Sequence, residues 1–327
     1  MVIEPGHEPV GVNDSVVIVR PDGTAQARAQ FTPRTPPLIG NAAAIMAPEA
    51  YVAAGKVFFM DGKGALRSLD RQGQVSPVAS FPLGPQQQIA FAVSPDGRHV
   101  LADVLTYPPA HFPRDIQQPF DPGTFKQDLY AADAGGPTRT VFHRDEGNTL
   151  PSDVIEPVAW DAQGPIATID SSLGTQQGIP RRWFGHAARI DANGGAGPVL
   201  GGADCFAQAL LGDGTVLCGD DRFQAGSVRS PSGGVLYPLP GGSYLTLAPD
   251  GSAATASGFS GDAAVLVRKD GSTAQLPPGI YAEGWLDPQT IIGISDLNTN
   301  RMEVVRLSAL SKIEDLGYGG WFVGVLT

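Results

Sequence analysis

The sequence predicts a closed all-β fold, a single β-propeller, and three observations support this prediction. Hydrophobic residues make up 42% of the 327 residues, while 42 glycines and 29 prolines supply many turns. Two families of turn motifs alternate along the chain with a period of roughly 40 residues, so each period holds four antiparallel strands, a to d. One four-stranded sheet leaves both faces exposed. The repeats must therefore stack, and closing them into a ring removes their long edges.

The first family of turns joins strands a and b of each repeat. Its clearest member ends in Ser-Pro-Asp-Gly at positions 94–97. A glycine after a type I turn supplies the positive φ that closes a short hairpin. The members lie at 53–56, 91–97, 160–164, 210–214, 247–251 and 285–289.

The second family joins strands c and d, and it has one member more than the first. Its members lie at 20–23, 70–73, 133–136, 191–195, 232–234, 269–271 and, in degenerate form, 308–312. The missing a strand is expected at 321–326, with outer strands of the same blade at 16–20 and 24–31. The sequence thus predicts seven four-stranded blades in one domain over residues 1–327, with both termini in one blade. The expected blades are 1–31 with 318–327, 40–83, 86–143, 154–200, 203–240, 243–277 and 280–316.

The repeats at 94–98 (Ser-Pro-Asp-Gly-Arg) and 248–251 (Ala-Pro-Asp-Gly) resemble those of the TolB-type, WD40-like propellers of bacteria. The one Trp-Asp pair, at 160–161, lies at an a–b turn, which departs from a true WD40 array. The resemblance implies a bacterial protein of the cell envelope or a secreted one. A cytoplasmic location is the alternative, because the N-terminus does not resemble a signal peptide. The family includes binding proteins, peptidase gating domains and enzymes, so the resemblance implies the fold and not the function.

Charge and motifs exclude several classes of function. The net charge of −11 argues against a nucleic-acid partner, which requires a basic face. No run of 18 apolar residues predicts a transmembrane segment. The chain has no G-x-S-x-G motif and no histidine spacing typical of a transition-metal site. We therefore predict no catalytic residue and no cofactor, and we expect a monomer.

The two cysteines, Cys205 and Cys218, flank the predicted hairpin turn at 212–214. A three-residue loop in regular register places them on opposite faces. A bulge of one residue would bring them to a diagonal position on one face, where a disulfide can form. The alternative is a pair of small buried apolar side chains.

Three connections on one face of the ring are long: 106–127, 143–157 and 171–185. They belong to blades three and four, and long loops on a rigid scaffold often carry binding residues. Aromatic, cationic and acidic side chains there suit recognition of carboxylated or sugar ligands. The alternative is a set of surface loops packed on their own aromatic rings. The candidate binding residues are Asp103, Tyr107, His111, Arg114, His143, Asp170, Arg181, Arg182, Trp183, His186, Asp220, Asp221 and Arg222.

Five repeats carry an aspartate where strand b is expected to end. A ring of carboxylates at the mouth of the channel could hold Ca²⁺. Aspartate also opens turns by accepting backbone N–H groups, which is the alternative explanation. The five positions are Asp61, Asp103, Asp170, Asp220 and Asp296.

Two functional hypotheses follow from these patterns. The first is a non-catalytic propeller that binds a protein, peptide or glycan through the long loops of blades three and four. The second is a lyase-type or hydrolase-type enzyme acting on a small molecule or polysaccharide at the channel mouth. The second hypothesis requires His111, His143 or His186 to lie within hydrogen-bond reach of a carboxylate in a deep pocket.

Overall fold

The protein folds as a closed all-β propeller in a computed structural model. The structure describes residues 2–4, 14–35, 38–39, 42–43, 50–108, 125–147, 154–171, 185–220, 224–242, 244–258, 264–295 and 301–326. Within these ranges the one helix is a short 3-10 turn, Leu307–Ala309. None of the described residues forms a helix with the length and apolarity that a membrane crossing requires.

Both termini contribute to one sheet, called the terminal sheet here, whose strand order is β3-β2-β1-β30. The N-terminal part supplies three of its strands, and a two-stranded hairpin, β4 and β5, follows. The strands are β1 (Val2–Glu4), β2 (Asp14–Val19), β3 (Ala25–Phe31), β4 (Leu38–Ile39), β5 (Ala42–Ala43) and β30 (Trp321–Gly324).

Six blades, numbered two to seven after the terminal sheet, are each an antiparallel sheet of four consecutive strands. Blade two contains β6 (Ala50–Ala53), β7 (Lys56–Met60), β8 (Ala65–Leu69) and β9 (Val75–Ser80). Blade three contains β10 (Gln87–Val93), β11 (His99–Thr106), β12 (Phe125–Asp133) and β13 (Thr138–Gly147). Blade four contains β14 (Val154–Asp161), β15 (Gly164–Ser171), β16 (Ala187–Ile190) and β17 (Ala196–Val199).

The remaining three blades follow the same pattern. Blade five contains β18 (Phe206–Leu210), β19 (Val216–Gly219), β20 (Ala225–Arg229) and β21 (Val235–Pro240). Blade six contains β22 (Tyr244–Leu247), β23 (Ala253–Ser257), β24 (Val265–Arg268) and β25 (Thr273–Gln275). Blade seven contains β26 (Tyr281–Asp287), β27 (Thr290–Ile294), β28 (Arg301–Arg306) and β29 (Ile313–Gly319).

The prediction of seven four-stranded blades was wrong. Six blades are formed from continuous chain, whereas the terminal sheet is the hairpin of β2 and β3 extended by two short strands. Strand β1 has only three residues, and its pairing with β30 shifts register between Val2 and Ile3. The sequence pattern identified only the hairpin and the last strand, because three residues give no periodic signal.

The a–b turns form as their glycines predicted. Gly97, Gly214 and Gly251 have φ of +73°, +86° and +69°. Each glycine N–H donates to the carbonyl three residues earlier, at 2.8, 2.9 and 2.9 Å respectively. Only glycine adopts such φ values without strain, so these residues close the hairpins that set the register of each blade.

The core consists of the layers between neighbouring blades. Between blades three and four it is aliphatic, with Leu101, Leu129 and Ile155 packed together. Between blades four and five it contains Val158, Ala207 and both cysteines. These layers hold the two faces of blade four, and the polar groups described below lie at their edges.

Candidate functional site

The structure describes six of the thirteen candidate binding residues. They are Asp103, Tyr107, His143, Asp170, His186 and Asp220. The other seven, together with Asp296 of the predicted acidic ring, fall outside the described residues. Those seven are His111, Arg114, Arg181, Arg182, Trp183, Asp221 and Arg222.

Two aspartates of the predicted acidic ring act as turn openers. The Asp61 carboxylate accepts the backbone N–H groups of Lys63 and Ala65, at 2.9 and 3.0 Å. The Asp220 carboxylate accepts those of Gln224 and Ala225, at 2.7 and 3.1 Å. This is the ordinary turn-forming role of aspartate. Among the described residues, no group of three histidine, cysteine or acidic side chains is placed to hold a metal ion.

Asp103 does not end strand b as predicted, because β11 continues to Thr106. Its side chain is almost fully buried, with 1% exposure, and accepts a hydrogen bond of 2.8 Å from Gln127 Nε2. The regular ladder of blade three carries the strand past the aspartate without a bulge between β10 and β11. Asp103 is therefore an interior residue of the sheet.

His143 pairs with Asp128, with 2.7 Å between Nδ1 and Oδ1. The prediction that His143 lies in a loop connecting two blades was wrong, because it belongs to the outer strand β13. Half of its side chain is exposed. An exposed pair on an edge strand faces solvent and encloses no ligand.

His186 and Asp170 form a second pair in blade four, where β15 ends and just before β16 begins. Asp170 Oδ2 lies 2.5 Å from His186 Nδ1, and Asp170 Oδ1 accepts the backbone N–H of His186 at 2.6 Å. An ionised carboxylate only accepts hydrogen bonds, so Nδ1 donates in this contact, and in a neutral imidazole Nε2 then carries the lone pair. No other described residue hydrogen-bonds to this ring. The carboxylate thus fixes both the position and the tautomer of the imidazole.

Gly185 makes this pair possible. Its φ is +134°, and a Cβ atom at this position would overlap Asp170 Oδ1. The Gly185 carbonyl also accepts the backbone N–H of Ala207 in blade five, at 2.9 Å. The residue before His186 therefore has to be small, and it links two blades directly.

A cavity of about 500 Å³ lies between blades four and five, with His186 in its wall. The ring of Phe206, the first residue of β18, meets the imidazole edge to face, with centroids 5.3 Å apart. The volume falls within the range typical of small-molecule sites. Its other lining side chains include Asp204, Cys218, Asp220 and Arg229.

Arg229 holds Asp204 in a two-pronged ion pair, with Nη1 and Nη2 at 2.6 and 3.0 Å from the two carboxylate oxygens. The hydrogen bond from Arg229 is the main cause that lowers the pKa of Asp204, and the same bond raises the pKa of Arg229. Arg229 Nε also donates to Ser227 Oγ at 2.9 Å. The guanidinium of Arg229 thus uses most of its N–H groups in hydrogen bonds within the protein, at the rim of the cavity.

A disulfide joins Cys205 and Cys218, whose Cα atoms are 4.9 Å apart. Ala207 pairs with Cys218, and the register then shifts by one residue before Ala209 pairs with Leu217. This is the one-residue bulge that the sequence left open as an alternative, and it brings the two cysteines to one face. Cys218 lines the cavity, so the bridge secures one of its walls.

Sequence patterns did not identify Asp204, Phe206 or Arg229. Arg229 and Asp204 lie 25 positions apart within one repeat, at the end of β20 and just before β18. Phe206 has the appearance of an ordinary buried strand residue, and it contacts His186 only because blades four and five pack together. One sequence feature could have identified Arg229 as a candidate. It is a charged residue at the end of a strand c, just before the c–d turn.

No protein-family model matches this sequence, and no curated protein matches it. Among solved structures, an oligogalacturonate lyase in complex with manganese is similar, with 11% identity and a TM-score of 0.54 over 87% of this chain and 80% of that chain. A functionally unknown protein from Desulfotomaculum acetoxidans DSM 771 has 10% identity and a TM-score of 0.54, over 98% and 96% of the two chains. A chain of the mitotic checkpoint complex has 11% identity and a TM-score of 0.47, over 86% and 83%.

These identities are too low to transfer a function or a site. The two similar structures with a TM-score of 0.54 support the fold. The TolB-type resemblance therefore holds at the level of the fold alone. The lyase is an example of an enzyme with this fold, and the fold by itself does not decide the function of this chain. The chain is a β-propeller.

Proposed function

We propose that this chain is an acid–base enzyme that acts on a small molecule or a saccharide in the cavity between blades four and five. In this proposal His186 is the general base and Asp170 orients it. The observation that carries the proposal is the 2.5 Å contact between Asp170 Oδ2 and His186 Nδ1 in the wall of a 500 Å³ cavity. The enzyme hypothesis required a histidine within hydrogen-bond reach of a carboxylate, and this pair lies beside a cavity that opens to solvent.

The proposed chemistry follows from the tautomer of His186. With the proton on Nδ1, the Nε2 lone pair takes a proton from the substrate in a lyase reaction, or from water in a hydrolytic one. Asp170 stabilises the resulting imidazolium through the same hydrogen bond. In the second half of the reaction, Nε2 returns its proton to the leaving group. Both reaction types use these steps.

The walls of the cavity support a ligand with an apolar face and several hydroxyl groups. Phe206 offers a ring surface, while Asp220 and Ser227 supply oxygen atoms around it. A sugar ring presents such a combination of C–H and O–H groups. The proposed site thus lies between two blades and not at the channel mouth, where the sequence placed it.

The test uses a pair of matched variants, His186→Gln and His143→Gln. The full chain is assayed on a panel of neutral and acidic oligosaccharides and small esters, for new carbon–carbon double bonds and for hydrolysis products. We expect turnover of at least one class, a loss of about 10²-fold or more in His186→Gln, and little change in His143→Gln. Equal activity of the two variants would exclude His186 as the base.

The non-catalytic hypothesis is the alternative outcome of the same panel. If a panel compound binds without turnover, and triple alanine replacement of Arg181, Arg182 and Trp183 abolishes its binding, the chain is a binding protein. Its contacts would then lie on the long loops, outside the described residues.

We also propose that the protein works in the bacterial cell envelope or outside the cell. The Cys205–Cys218 disulfide supports this location, because disulfides persist in oxidising compartments and are rare in the cytosol. Thiol labelling of cells before and after reduction tests the proposal. Both cysteines should react only after reduction.

A further inference from the structure

Arg229 contributes a guanidinium to the wall of the cavity beside His186. Only 15% of its side chain is exposed. Its Nε donates to Ser227 Oγ at 2.9 Å, and its Nη1 donates to the Gly201 carbonyl at 3.0 Å. These two bonds hold the guanidinium in place independently of Asp204.

The two terminal nitrogens of Arg229 are bound by one carboxylate, that of Asp204. Nη1 lies 2.6 Å from Oδ1, and Nη2 lies 3.0 Å from Oδ2. Two parallel hydrogen bonds of this kind are the arrangement in which a guanidinium recognises a carboxylate. In contrast to the arginine, 79% of the Asp204 side chain is exposed. A mostly buried guanidinium in a cavity wall thus binds a carboxylate that is mostly in solvent.

Asp204 can leave this pair at little cost. It lies in the connection between β17 and β18, outside both strands. A rotation of its side chain therefore moves the carboxylate further into solvent while the backbone stays in place. Ion pairs at the surface contribute little to stability, because water solvates the separated charges well. A ligand carboxylate in the same position restores both hydrogen bonds, so the exchange leaves Arg229 as well paired as before.

Asp170 and Asp220 do not compete for the guanidinium. Asp170 is bound to His186, and the Asp220 carboxylate accepts two backbone N–H groups of its own turn. The hydrogen bond from Arg229 is the main cause that lowers the pKa of Asp204, and the nearby imidazole of His186 has a smaller effect in the same direction. The guanidinium, the exposed carboxylate and the proposed base therefore lie close together in the cavity.

We propose that Arg229 binds the carboxylate of a ligand, and that Asp204 occupies the same position until the ligand displaces it. This inference rests on the proposed site at His186 and names the class of ligand that the site takes, a saccharide that carries a carboxylate. Asp204 acts as an internal competitor in this arrangement. It lowers the apparent affinity, because only the fraction of chains with an open guanidinium is competent to bind.

The test is titration calorimetry of the full chain with two probes, D-glucuronate and D-glucose. They differ in that glucuronate carries a carboxylate in place of the terminal hydroxymethyl group. We expect glucuronate to bind about 10-fold more tightly than glucose or better. Asp204→Asn removes the competing carboxylate and should raise the affinity for glucuronate by about 5-fold. Arg229→Lys keeps the charge but not the planar fork, and should lower this affinity by about 10-fold or more.

The matched controls are Arg301→Lys and Asp315→Asn. These residues form an arginine–aspartate pair of the same kind in blade seven, and neither lines the cavity. Both variants should bind glucuronate as the unchanged chain does. The melting temperature of Arg229→Lys is measured as well, because Arg229 also holds Gly201. If Arg229→Lys does not fold, Asp204→Asn still decides the question, since it alters an exposed side chain.

Three results would overturn the inference: no saturable binding of millimolar glucuronate, equal affinity for glucuronate and glucose, or equal affinity for glucuronate in Asp204→Asn and the unchanged chain. Turnover of a neutral saccharide together with any of them would leave the proposed enzyme standing and remove only the carboxylate site. Conversely, glucuronate binding that depends on Arg229, with equal turnover in His186→Gln and His143→Gln, would support the carboxylate site and exclude His186 as the base.

Discussion

His186 with Asp170 and His143 with Asp128 are two imidazole–carboxylate pairs in neighbouring blades. Their closest ring nitrogen–oxygen distances are nearly equal, 2.5 and 2.7 Å. His143 lies on an outer strand with half its side chain in solvent, whereas His186 lines a cavity between two blades. Since the pairs match in length, the pair itself does not define a site. What differs is the second blade, which places Phe206 against the His186 ring.

The largest expected effect comes from removing the carboxylate of each pair. Asp170→Asn should lower kcat by about 10²-fold or more with little change in KM, because the amide no longer selects the base tautomer of His186. Asp128→Asn should change neither constant more than a few-fold. Steady-state kinetics on a substrate identified by the panel provide the measurement. Equal losses in both variants would mean that contact with a second blade is not what distinguishes the two pairs.

The second largest effect is expected from removing the disulfide, which lies in the wall of the cavity beside His186 and not beside His143. Replacing Cys205 and Cys218 together with alanine should lower the free energy of unfolding by about 3 kcal/mol, as expected for a short closed loop. Urea denaturation measures this change. Reductant should produce a similar loss in the unchanged chain and none in the double variant. A reductant-sensitive double variant would contradict this explanation.

Gly185→Ala tests how closely the His186 pair is packed. The new Cβ overlaps Asp170 Oδ1 at a positive φ, so we expect a loss of about 1–3 kcal/mol in unfolding free energy, together with reduced activity. Gly164→Ala is the matched control, because its φ of +140° is similar and nothing lies within 4 Å. If the two variants lose equal stability, backbone strain alone explains the effect.

The smallest expected effect concerns Asp161, which pairs with Arg189 on the strand after His186. Burial raises the pKa of Asp161, but hydrogen bonds from Arg189 and from the Gln163 N–H outweigh it, and the pKa lies below its ordinary 3.8. A lowered folded pKa means that the pair stabilises the fold above pH 3.8 and that this contribution is lost as the pH falls through the lowered value. Near-surface pairs contribute about 1 kcal/mol or less. The free energy of unfolding is measured at pH 6 and at a pH below 3.8. The difference between the two values should be smaller in Asp161→Asn than in the unchanged chain. An equal difference would contradict a stabilising role of the Asp161–Arg189 pair.

Local signals explain what the sequence could predict. The turns at Gly97, Gly214 and Gly251 depend on residues within one hairpin, and each forms where its motif lies. The turn-opening role of Asp61 is equally local, since its partners are two and four residues away. The short strand β1 has no such signal, and the blade count needed correction for that reason.

The site depends on distances in space that one repeat does not encode. Sequence patterns named both His186 and Asp170 as candidates, but they lie 16 positions apart, and no local pattern predicts that they are in contact. Arg229 and Phe206 were missed because they meet blade four only after the ring has formed. The Cys205–Cys218 disulfide was partly predictable from the sequence. It requires a bulge of one residue, which the turn motif allows but does not predict.

The bond between the Gly185 carbonyl and the Ala207 N–H crosses the boundary between two blades, immediately beside His186. In a protein built of stacked repeats, each repeat contacts only its neighbours. An extra repeat inserted between blades four and five would separate His186 from Phe206 and remove the cavity. An extra repeat between blades five and six would leave both residues in contact. The proposed site at His186 therefore requires blades four and five to be direct neighbours in the ring.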